Sequence, residues 1–374
     1  MCGTVRAPSF SPTSFRAKTM RNLSDLPAPS RRGPPGLPRV VTLGGGHGQG
    51  ALLSALVRLE CELVAVVSVA DDGGCSGKLR EELGMAPPGD VRHCLVTLSS
   101  LAGAASLFEE RLTRGGEEGR CVGNLVLAEM TSDLGSFQRA VDWVGRLLRC
   151  SGRVVPVAEI AGTLNVYDRV HGPMTGESHI ERESASALVA TVDGPERASE
   201  EALAAIRDAD LIFMGPGSFV GSTLAVLTTG NVAQAVVGAR GRRILVRNVS
   251  AEEHAPPSGA VPYVDHERIL RDHLVIGSGG EPVSFDVLAH DPGEVGTHTR
   301  PDGTHELVGP IASDDGRTHD AGRLSDVLAR HLGLVPKVRG DAPVDSVDAE
   351  AQAIFDGYMA TARLRLHGGQ GNAG

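Results

Sequence analysis

The sequence predicts an α/β fold of the Rossmann-like type, in which a mainly parallel sheet lies between two layers of helices and carries a small β-rich insertion. A short apolar run, Val40–Leu43, stops at glycines and is followed by helical spacing. A second, valine-rich run, Leu63–Ala70, follows at the distance of a βαβ unit. Strand–helix alternation returns at Leu211–Met214, after alternating β-like segments that place the insertion around residues 154–195.

The order of patterns along the chain divides it into three parts. Residues 1–38 are rich in Ser, Pro and Arg, so we expect a disordered tail, within which Met20 offers an alternative start. Residues 39–335 are predicted to form the Rossmann-like domain, and residues 336–374 a C-terminal extension. Apolar spacing predicts helices at Gly50–Leu59, Lys78–Leu83, Val91–Leu101, Gly123–Met130, Phe137–Leu148, Ser199–Ile206, Val232–Ala239, His266–His273 and Ala321–Leu332, and further strands at Ile244–Val249 and Val283–Leu288.

Composition narrows the functional classes. With 374 residues, 41% of them hydrophobic, the chain can bury a large core. Its formal net charge of −10 argues against general binding to nucleic acids or anionic membranes. The six cysteines form no CxxC pair, so neither a disulfide framework nor a zinc site is predicted. We find neither an apolar run long enough for a membrane span nor a signal-peptide h-region, so the expected location is cytoplasmic.

The strongest motif is the glycine turn after the first predicted strand. Five of the seven residues from Gly44 to Gly50 are glycine, and a helix follows. Such a turn lets backbone N–H groups at a helix N-terminus approach a phosphate. It is neither a Walker A loop, because Ala51 stands where Lys belongs, nor GxGxxG, because Gln49 replaces the third glycine. A tight turn without a ligand is the alternative. The candidate ligand residues here are Gly44, Gly45, Gly46, His47 and Gly48.

Two acidic residues end the second strand. The acid at this place in a dinucleotide-binding fold accepts ribose hydroxyls. Asp71 and Asp72 together could instead hold Mg²⁺, and an Asx turn is the structural alternative. The candidate ligand residues of this turn are Asp71, Asp72, Gly73, Gly74 and Ser76.

Three later segments complete the candidate site: the start of the helix after Asp90, the start of the helix that contains Asn124, and a second glycine turn. Asp90 begins a predicted helix, where it is either a ligand contact or a plain N-cap, and Arg92 could pair with phosphate. A second glycine turn after Leu211–Met214 makes a ligand with two phosphates likelier than one with none. The remaining candidates are His93, Asn124, Gly215, Pro216, Gly217 and Ser218.

Four segments carry a family resemblance. They are GGGHG at 44–48, VADDGGCSGKLREELGMAPPGDVRHCL at 69–95, GNL at 123–125 and DADLIFMGPGSF at 208–219. The chain resembles the gluconeogenesis factor family (YvcK type), within the superfamily of the 2-phospho-L-lactate transferase (CofD-like proteins). The resemblance extends from about Arg39 to about Leu274, with an echo at His319-Asp320-Ala321.

The resemblance implies a cytoplasmic Rossmann-like protein that binds a nucleotide sugar of the UDP-glucose or UDP-N-acetylglucosamine type. It also implies a regulatory role in cell shape and cell-wall synthesis during growth on gluconeogenic carbon sources, without established catalysis. The sequence departs from the family pattern at Cys75, where Ser is usual, at His93, where Asn is usual, and after Asn248.

Three hypotheses follow. The first is a UDP-sugar-binding regulator. The second is a Mg²⁺-dependent phospholactyl-type transferase, in which Asp71 and Asp72 hold the metal across a diphosphate. The third, an NAD-dependent oxidoreductase, is disfavoured by the broken GxGxxG pattern. The sequence leaves open which nucleotide sugar binds, and whether the chain is a monomer or a homo-oligomer.

Overall fold

The structure, a computed structural model, describes residues 36–113, 119–168, 171–183, 187–250 and 263–337. Almost all of the expected N-terminal tail and C-terminal extension lies outside these residues, so the three-part division of the chain stays a prediction.

A sheet of eight strands forms the centre of the molecule. Its order is β10-β11-β9-β8-β7-β1-β2-β3, and every neighbouring pair is parallel except β10 with β11. The predicted fold class is confirmed, because the strands of this sheet, most of them buried, lie between helices. The strands are β1 (Arg39–Gly44), β2 (Glu62–Val67), β3 (Arg153–Pro156), β7 (Leu211–Met214), β8 (Arg242–Val246), β9 (Asp286–His290), β10 (Gly296–Thr299) and β11 (His305–Gly309).

The strand order creates a crevice between β1 and β7. From β1 the chain proceeds outward to β2 and β3, whereas β7 leads outward to β8 and β9 on the other side. In open α/β sheets, ligands bind where the strand order reverses in this way, at the carboxyl ends of the strands. The two glycine turns, at 44–48 and 215–218, directly follow these two strands.

The helices pack in two groups. The first group packs around α1 and α3, and the second pairs α10 with α8 and α11. The helices are α1 (Gly46–Leu56), α2 (Gly74–Leu83), α3 (Gly89–Leu98), α4 (Ala102–Glu109), α5 (Val122–Leu134), α6 (Phe137–Leu147), α7 (Glu177–Arg182), α8 (Glu200–Arg207), α9 (Ala225–Leu227), α10 (Val232–Gly238), α11 (Tyr263–Gly277) and α12 (Ala321–Leu332), and a π-helical segment, Phe219–Leu224, precedes α9.

The insertion is a separate antiparallel sheet. It consists of β4 (Thr163–Asp168), β5 (Gly172–Thr175) and β6 (Ala187–Asp193), in the order β5-β4-β6. The sequence grouped residues 154–157 with it, but Arg153–Pro156 instead pairs with β2 in the large sheet. The apolar run Val154–Val157 is too short for its periodicity to show which of the two sheets it joins.

Side chains from neighbouring helices contact the outer strands. Gln138 of α6 donates from Nε2 to the carbonyl of Val154 on β3 at 3.3 Å. His273 of α11 accepts the backbone N–H of Ala190 on β6 at Nε2, at 2.8 Å. Its Nδ1 contacts the carbonyl of Ile269 at 2.7 Å, which fixes a neutral imidazole with the proton on Nδ1.

Membrane-spanning potential is limited to one broken pair. Within the described residues, no single helix has the length and hydropathy to cross a membrane. Phe219–Leu227 and Val232–Gly238 meet the criteria only as two pieces bent by 74°.

Candidate functional site

The first glycine turn encloses a carboxylate of its own chain. Gly45 is extended and precedes α1, and Gly46 has a φ of +61°. A Cβ added to Gly45 would lie 2.2 Å from Oδ2 of Asp90, and the Gly46 amide donates to the same carboxylate. Glycine is therefore required here for the close approach of Asp90, which lies where an external anion would meet the helix N-terminus.

The two glycine turns are in direct backbone contact. A Cβ added to Gly48 would lie 2.2 Å from Cα of Gly217. Ser218 closes the second turn, because its hydroxyl accepts the backbone N–H of Gly221 at 3.0 Å. The predicted convergence of residues 44–48 and 215–218 is thus present, and the contact leaves no room for a ligand between Gly48 and Gly217.

Asn248 holds the second turn in place. Its Oδ1 accepts the backbone N–H of Gly217 at 2.9 Å, and its Nδ2 donates to the Gly217 carbonyl at 2.8 Å. Its neighbour Arg247 pairs with Glu267 of α11 and with Glu306 of β11. The end of β8 is therefore anchored on both sides. Sequence reasoning treated Asn248 only as the point where the family pattern breaks off.

Asp71 belongs to the same site as Asp90. Its Oδ1 accepts the Gly73 backbone N–H at 2.8 Å, which is the Asx turn that the sequence offered as the structural alternative, and the Ser76 hydroxyl also contacts it. A Cβ added to Gly89 would lie 3.0 Å from Oδ2 of Asp71. The turn after β2 therefore packs against the residue that precedes Asp90.

Asp72 contacts the insertion. Its Oδ1 accepts the backbone N–H of Ser178 at 2.9 Å and also the Ser178 hydroxyl. Its Oδ2 lies 2.7 Å from the position of a Cβ on Gly176. The contacts of Asp72 link the large sheet to α7, so the two adjacent aspartates have different partners.

Two glutamates of the insertion complete an acidic cluster that sequence reasoning missed. Glu177 and Glu181 are one turn apart on α7 and share a hydrogen bond. Their Oε1 atoms lie 2.8 and 2.7 Å from the position of a Cβ on Gly221, in the π-helical segment. No local motif marks these residues, because a fold of the intervening chain brings them to the turn after β7.

The carboxyl groups of this cluster oppose one another's ionisation. Burial, together with the charges of Asp71 and Glu181, raises the pKa of Asp90 to about 7. Burial and the neighbouring Glu181 raise the pKa of Glu177 well above its usual range. Burial also raises the pKa of Asp71. Like charges in a partly buried site favour protonation of some members.

The acidic cluster does not have the geometry of a bound metal. Among the described residues, no group of three or more His, Cys, Asp and Glu side chains is arranged to hold an ion. Mg²⁺ commonly binds through one or two carboxylates together with substrate phosphates, so the proposed metal pair, Asp71 with Asp72, stays a prediction.

A second charged group lies on the other side of the first turn. The rings of His47 and His93 are 4.5 Å apart between centroids. Glu109 contacts both Arg92, at 2.6 Å, and Nδ1 of His93, at 3.7 Å. Burial and the charge of His47 lower the pKa of His93, so the half-buried imidazole is held neutral. His93 is thus close to the turn, as predicted, but through His47 rather than through the acidic cluster.

Asn124 is placed near Arg92. It is 2% exposed in the first turn of α5, and its Oδ1 has no hydrogen-bond partner among the described residues. The adjacent Gly123 faces Arg92 and Phe108, and a Cβ there would lie 2.8 Å from Cδ of Arg92. Among the described residues, no hydrogen bond joins Asn124 to the glycine turns.

A small cleft, open to solvent, lies on the β8 side of the second turn. Phe219 and His266 line this cleft. Their rings stack on each other, with centroids 4.3 Å apart and an interplanar angle of 13°. Its other walls include Gly215, Gly217, Leu245 and Asn248.

Fold and site together define a Rossmann-like α/β protein with paired glycine turns at its topological switch point. The family model of the 2-phospho-L-lactate transferase CofD matches residues 40–316. A gluconeogenesis factor of Halalkalibacterium halodurans is 34% identical over 308 residues, which is 77% of this chain and 95% of that protein. The gluconeogenesis factor of Bacillus subtilis is 34% identical over 246 residues, covering 64% and 76% of the two chains.

Solved structures agree with the sequence relatives. A crystal structure of a UPF0052 family member from Bacillus halodurans superposes with a TM-score of 0.68 at 30% identity, covering 78% of this chain and 99% of that one. The chain therefore belongs to the gluconeogenesis factor family within the CofD-like superfamily, as the sequence resemblance predicts.

Proposed function

We propose that the chain is a cytoplasmic regulatory protein that binds a UDP-sugar at the crevice between β1 and β7 and supports normal cell shape and cell-wall synthesis during growth on gluconeogenic carbon sources. The observation that carries the proposal is the contact of Gly48 with Gly217, which brings two glycine turns together at the switch point. The names of the relatives support the gluconeogenic context.

Three groups around the crevice suit parts of such a ligand. The first-turn amides of α1 suit a phosphate oxygen, because they have no partner within the helix. Asp71 lies in the turn after β2, the strand next to β1, and an acid that follows this strand commonly accepts ribose hydroxyls. Asp90 occupies the position that an external anion would take at the N-terminus of α1. Binding of a diphosphate there therefore requires that Asp90 is protonated or displaced.

Calorimetric titration of the full chain with UDP-N-acetylglucosamine and UDP-glucose tests the proposal. Asp71→Asn and Gly46→Ala should each weaken binding by about tenfold or more, which corresponds to about 1.4 kcal/mol. Gly103→Ala is the matched glycine control, because nothing lies within 4 Å of a Cβ there and its affinity should match wild type. Absence of binding heat with both nucleotides would refute the proposal.

A Mg²⁺-dependent phospholactyl-type transferase is the second candidate, and the match to a transferase family model favours it. In this candidate Asp71 and Asp72 would hold Mg²⁺ together with the phosphates of the substrate. Turnover with a deazaflavin acceptor that is abolished by EDTA would establish transfer. Binding of a UDP-sugar at equal affinity with and without Mg²⁺, and without turnover, would exclude it.

A further inference from the structure

Two cysteines at the starts of different helices are in contact beside the candidate site. Cys75 is the second residue of α2 and is half-buried, and Cys121 directly precedes α5 and is buried. The backbone N–H of Cys121 donates to Sγ of Cys75 at 3.3 Å. The two residues are 46 positions apart in sequence, so the fold alone brings them together.

Their separation allows a covalent bond. With the Cys75 sulfur on the Cys121 amide, covalent geometry keeps the two Cα atoms within roughly 7 Å of each other, the upper end of the range that disulfides span. The thiol of Cys121 now donates to the carbonyl of Phe108 at 3.0 Å, so it must rotate about its Cα–Cβ bond to reach Cys75. That carbonyl also lies 3.5 Å from Nη1 of Arg92, which keeps it partnered after the rotation.

Three other described cysteines are less suited to oxidation. Burial raises the pKa of Cys61 to about 11 and of Cys150 to about 12, and burial holds the pKa of Cys94 well above its usual range. Thiols in such surroundings are poor nucleophiles. Half-buried Cys75 is reachable by a small oxidant, and Cys121 is the thiol beside it.

We propose that Cys75 and Cys121 form a reversible intramolecular disulfide when the protein meets hydrogen peroxide. The Cys75 thiolate attacks one peroxide oxygen, the O–O bond breaks, and protonated hydroxide leaves as water, giving a sulfenic acid. The Cys121 sulfur then attacks the Cys75 sulfur, and the sulfenic oxygen leaves as a second water. Two thiols are oxidised by two electrons, one peroxide is reduced to two waters, and an external dithiol reverses the bond.

The bond would join two parts of the candidate site. The turn after β2 carries Asp71 and Ser76, on either side of Cys75 in sequence, and α5 carries Asn124 three residues after Cys121. The cross-link therefore fixes α5 against the loop of the acidic cluster. Formation of the bond is independent of the proposed nucleotide binding, and only its effect on the site rests on that function.

Peptide mapping of the full chain tests the proposal. The chain is reduced, freed of reductant, treated with hydrogen peroxide and digested without reduction. We expect a linked peptide pair containing Cys75 and Cys121, an intact mass lower by about 2 Da, and recovery of both thiols with dithiothreitol. The oxidised chain should also melt at a higher temperature, because the bond closes a long loop in the unfolded state.

Serine variants separate this pair from the other thiols. Cys75→Ser and Cys121→Ser should each abolish the mass change and the melting shift, whereas Cys150→Ser should keep both. The proposal is overturned if Cys75 proceeds to sulfinic acid while Cys121 stays reduced, or if Cys75 links to Cys2 or to another chain. All these readouts are taken without nucleotide, so their failure is distinguishable from failure of UDP-sugar binding.

Discussion

At the scale of single residues, Asp90 takes the place at the N-terminus of α1 where a ligand phosphate would otherwise contact backbone amides. Its carboxylate is held by the Gly46 amide and opposed by the charge of Asp71. A group with these two neighbours can respond to pH within the physiological range, because its pKa is raised to about 7.

Asp90 should make nucleotide binding depend on pH. Since a raised pKa leaves the carboxyl mostly protonated at pH 6 and mostly ionised at pH 8, repulsion of a diphosphate should weaken UDP-sugar affinity by up to about tenfold over this interval. Asp90→Asn should bind with a nearly flat pH profile in calorimetric titrations. Affinity that instead rises with pH and requires Mg²⁺ would contradict this account and favour the metal-dependent alternative.

The contact between the two turns should tolerate no side chain. A methyl group on Gly48 would lie 2.2 Å from Cα of Gly217 and must separate the turns, so Gly48→Ala should reduce UDP-sugar affinity by about tenfold and destabilise the chain by about 2 kcal/mol. Gly103→Ala, on the exposed side of α4, should change neither quantity. Circular dichroism confirms folding before each titration. A Gly48→Ala chain with wild-type affinity would show that the spacing of the turns does not matter.

The sequence predicts that the two glycine turns meet, because the residues within each turn are consecutive. Glycines that follow a buried strand and precede a helix define a turn locally, and parallel strands bring such turns to one edge. Glu177 and Glu181 could not be predicted in this way, since their positions depend on the link from Ser178 to Asp72, 106 residues away in sequence.

At the scale of elements, α11 is joined to the insertion by one imidazole. His273 accepts the amide of Ala190 only when its Nε2 carries no proton, and burial lowers its pKa. The contact is thus available to the neutral histidine alone.

This contact should make stability fall on acidification. The folded chain resists protonating His273, whereas the unfolded chain binds that proton near its usual pKa of about 6.5, so the free energy of unfolding decreases as the pH falls below that value toward the lower native pKa. His273→Gln, whose side-chain oxygen can accept the same amide, should have a shallower pH dependence between pH 7 and 5 in denaturant titrations. Equal slopes for both chains would remove His273 as the cause.

Element boundaries show what patterning can resolve. The predicted helix at Lys78–Leu83 begins four residues earlier, at Gly74, because the glycines and Cys75 of the turn form its first turn. Apolar periodicity gives no signal there, since Gly74 is exposed and Cys75 half-buried. The stretch between the predicted helices Val91–Leu101 and Gly123–Met130, for which no helix is predicted, contains α4. In α4 the one fully buried residue is Phe108. A short helix of this kind lacks the repeated apolar spacing on which prediction depends.

At the scale of the whole molecule, a largely buried ionic network ties the last strands to α11. Arg247 and Arg300 each pair with Glu267 and Glu306, so two positive charges alternate with two negative ones. Glu267 is only 7% exposed. Removal of one member of such a network leaves the remaining desolvated charges incompletely compensated.

Glu267 should therefore matter more than its exposed neighbours. Glu267→Gln should lower the free energy of unfolding by about 3 kcal/mol, because Arg247 and Arg300 must then share the single carboxylate of Glu306 in this network. Asp272→Asn is the control on the same helix. It breaks an exposed pair with Arg268 and should cost less than about 0.5 kcal/mol. Similar losses in the two variants, measured by denaturant unfolding, would contradict the importance of burial.

The acidic cluster joins the insertion to the large sheet at the expense of stability. Because the pKa of Glu177 is raised, the folded chain holds a proton that the unfolded chain releases, and the free energy of unfolding declines as pH rises from about 4.5 through the native pKa. Glu177→Gln should thus raise the melting temperature, and more so at pH 8 than at pH 6. Glu183→Gln, at an exposed position just after α7, should leave it unchanged. A lower melting temperature for Glu177→Gln at pH 8 would refute this.

The edge strand β3 is protected against pairing with strands of other molecules. An exposed sheet edge offers backbone groups to which a strand of another molecule can add, and this is how many proteins begin to aggregate. The amide of Gln138 already occupies the Val154 carbonyl, and Pro156 at the strand end has no N–H to offer. At the opposite edge, β10 is four residues long and carries the polar run Gly-Thr-His-Thr. Both margins of the sheet therefore resist intermolecular growth toward fibrils.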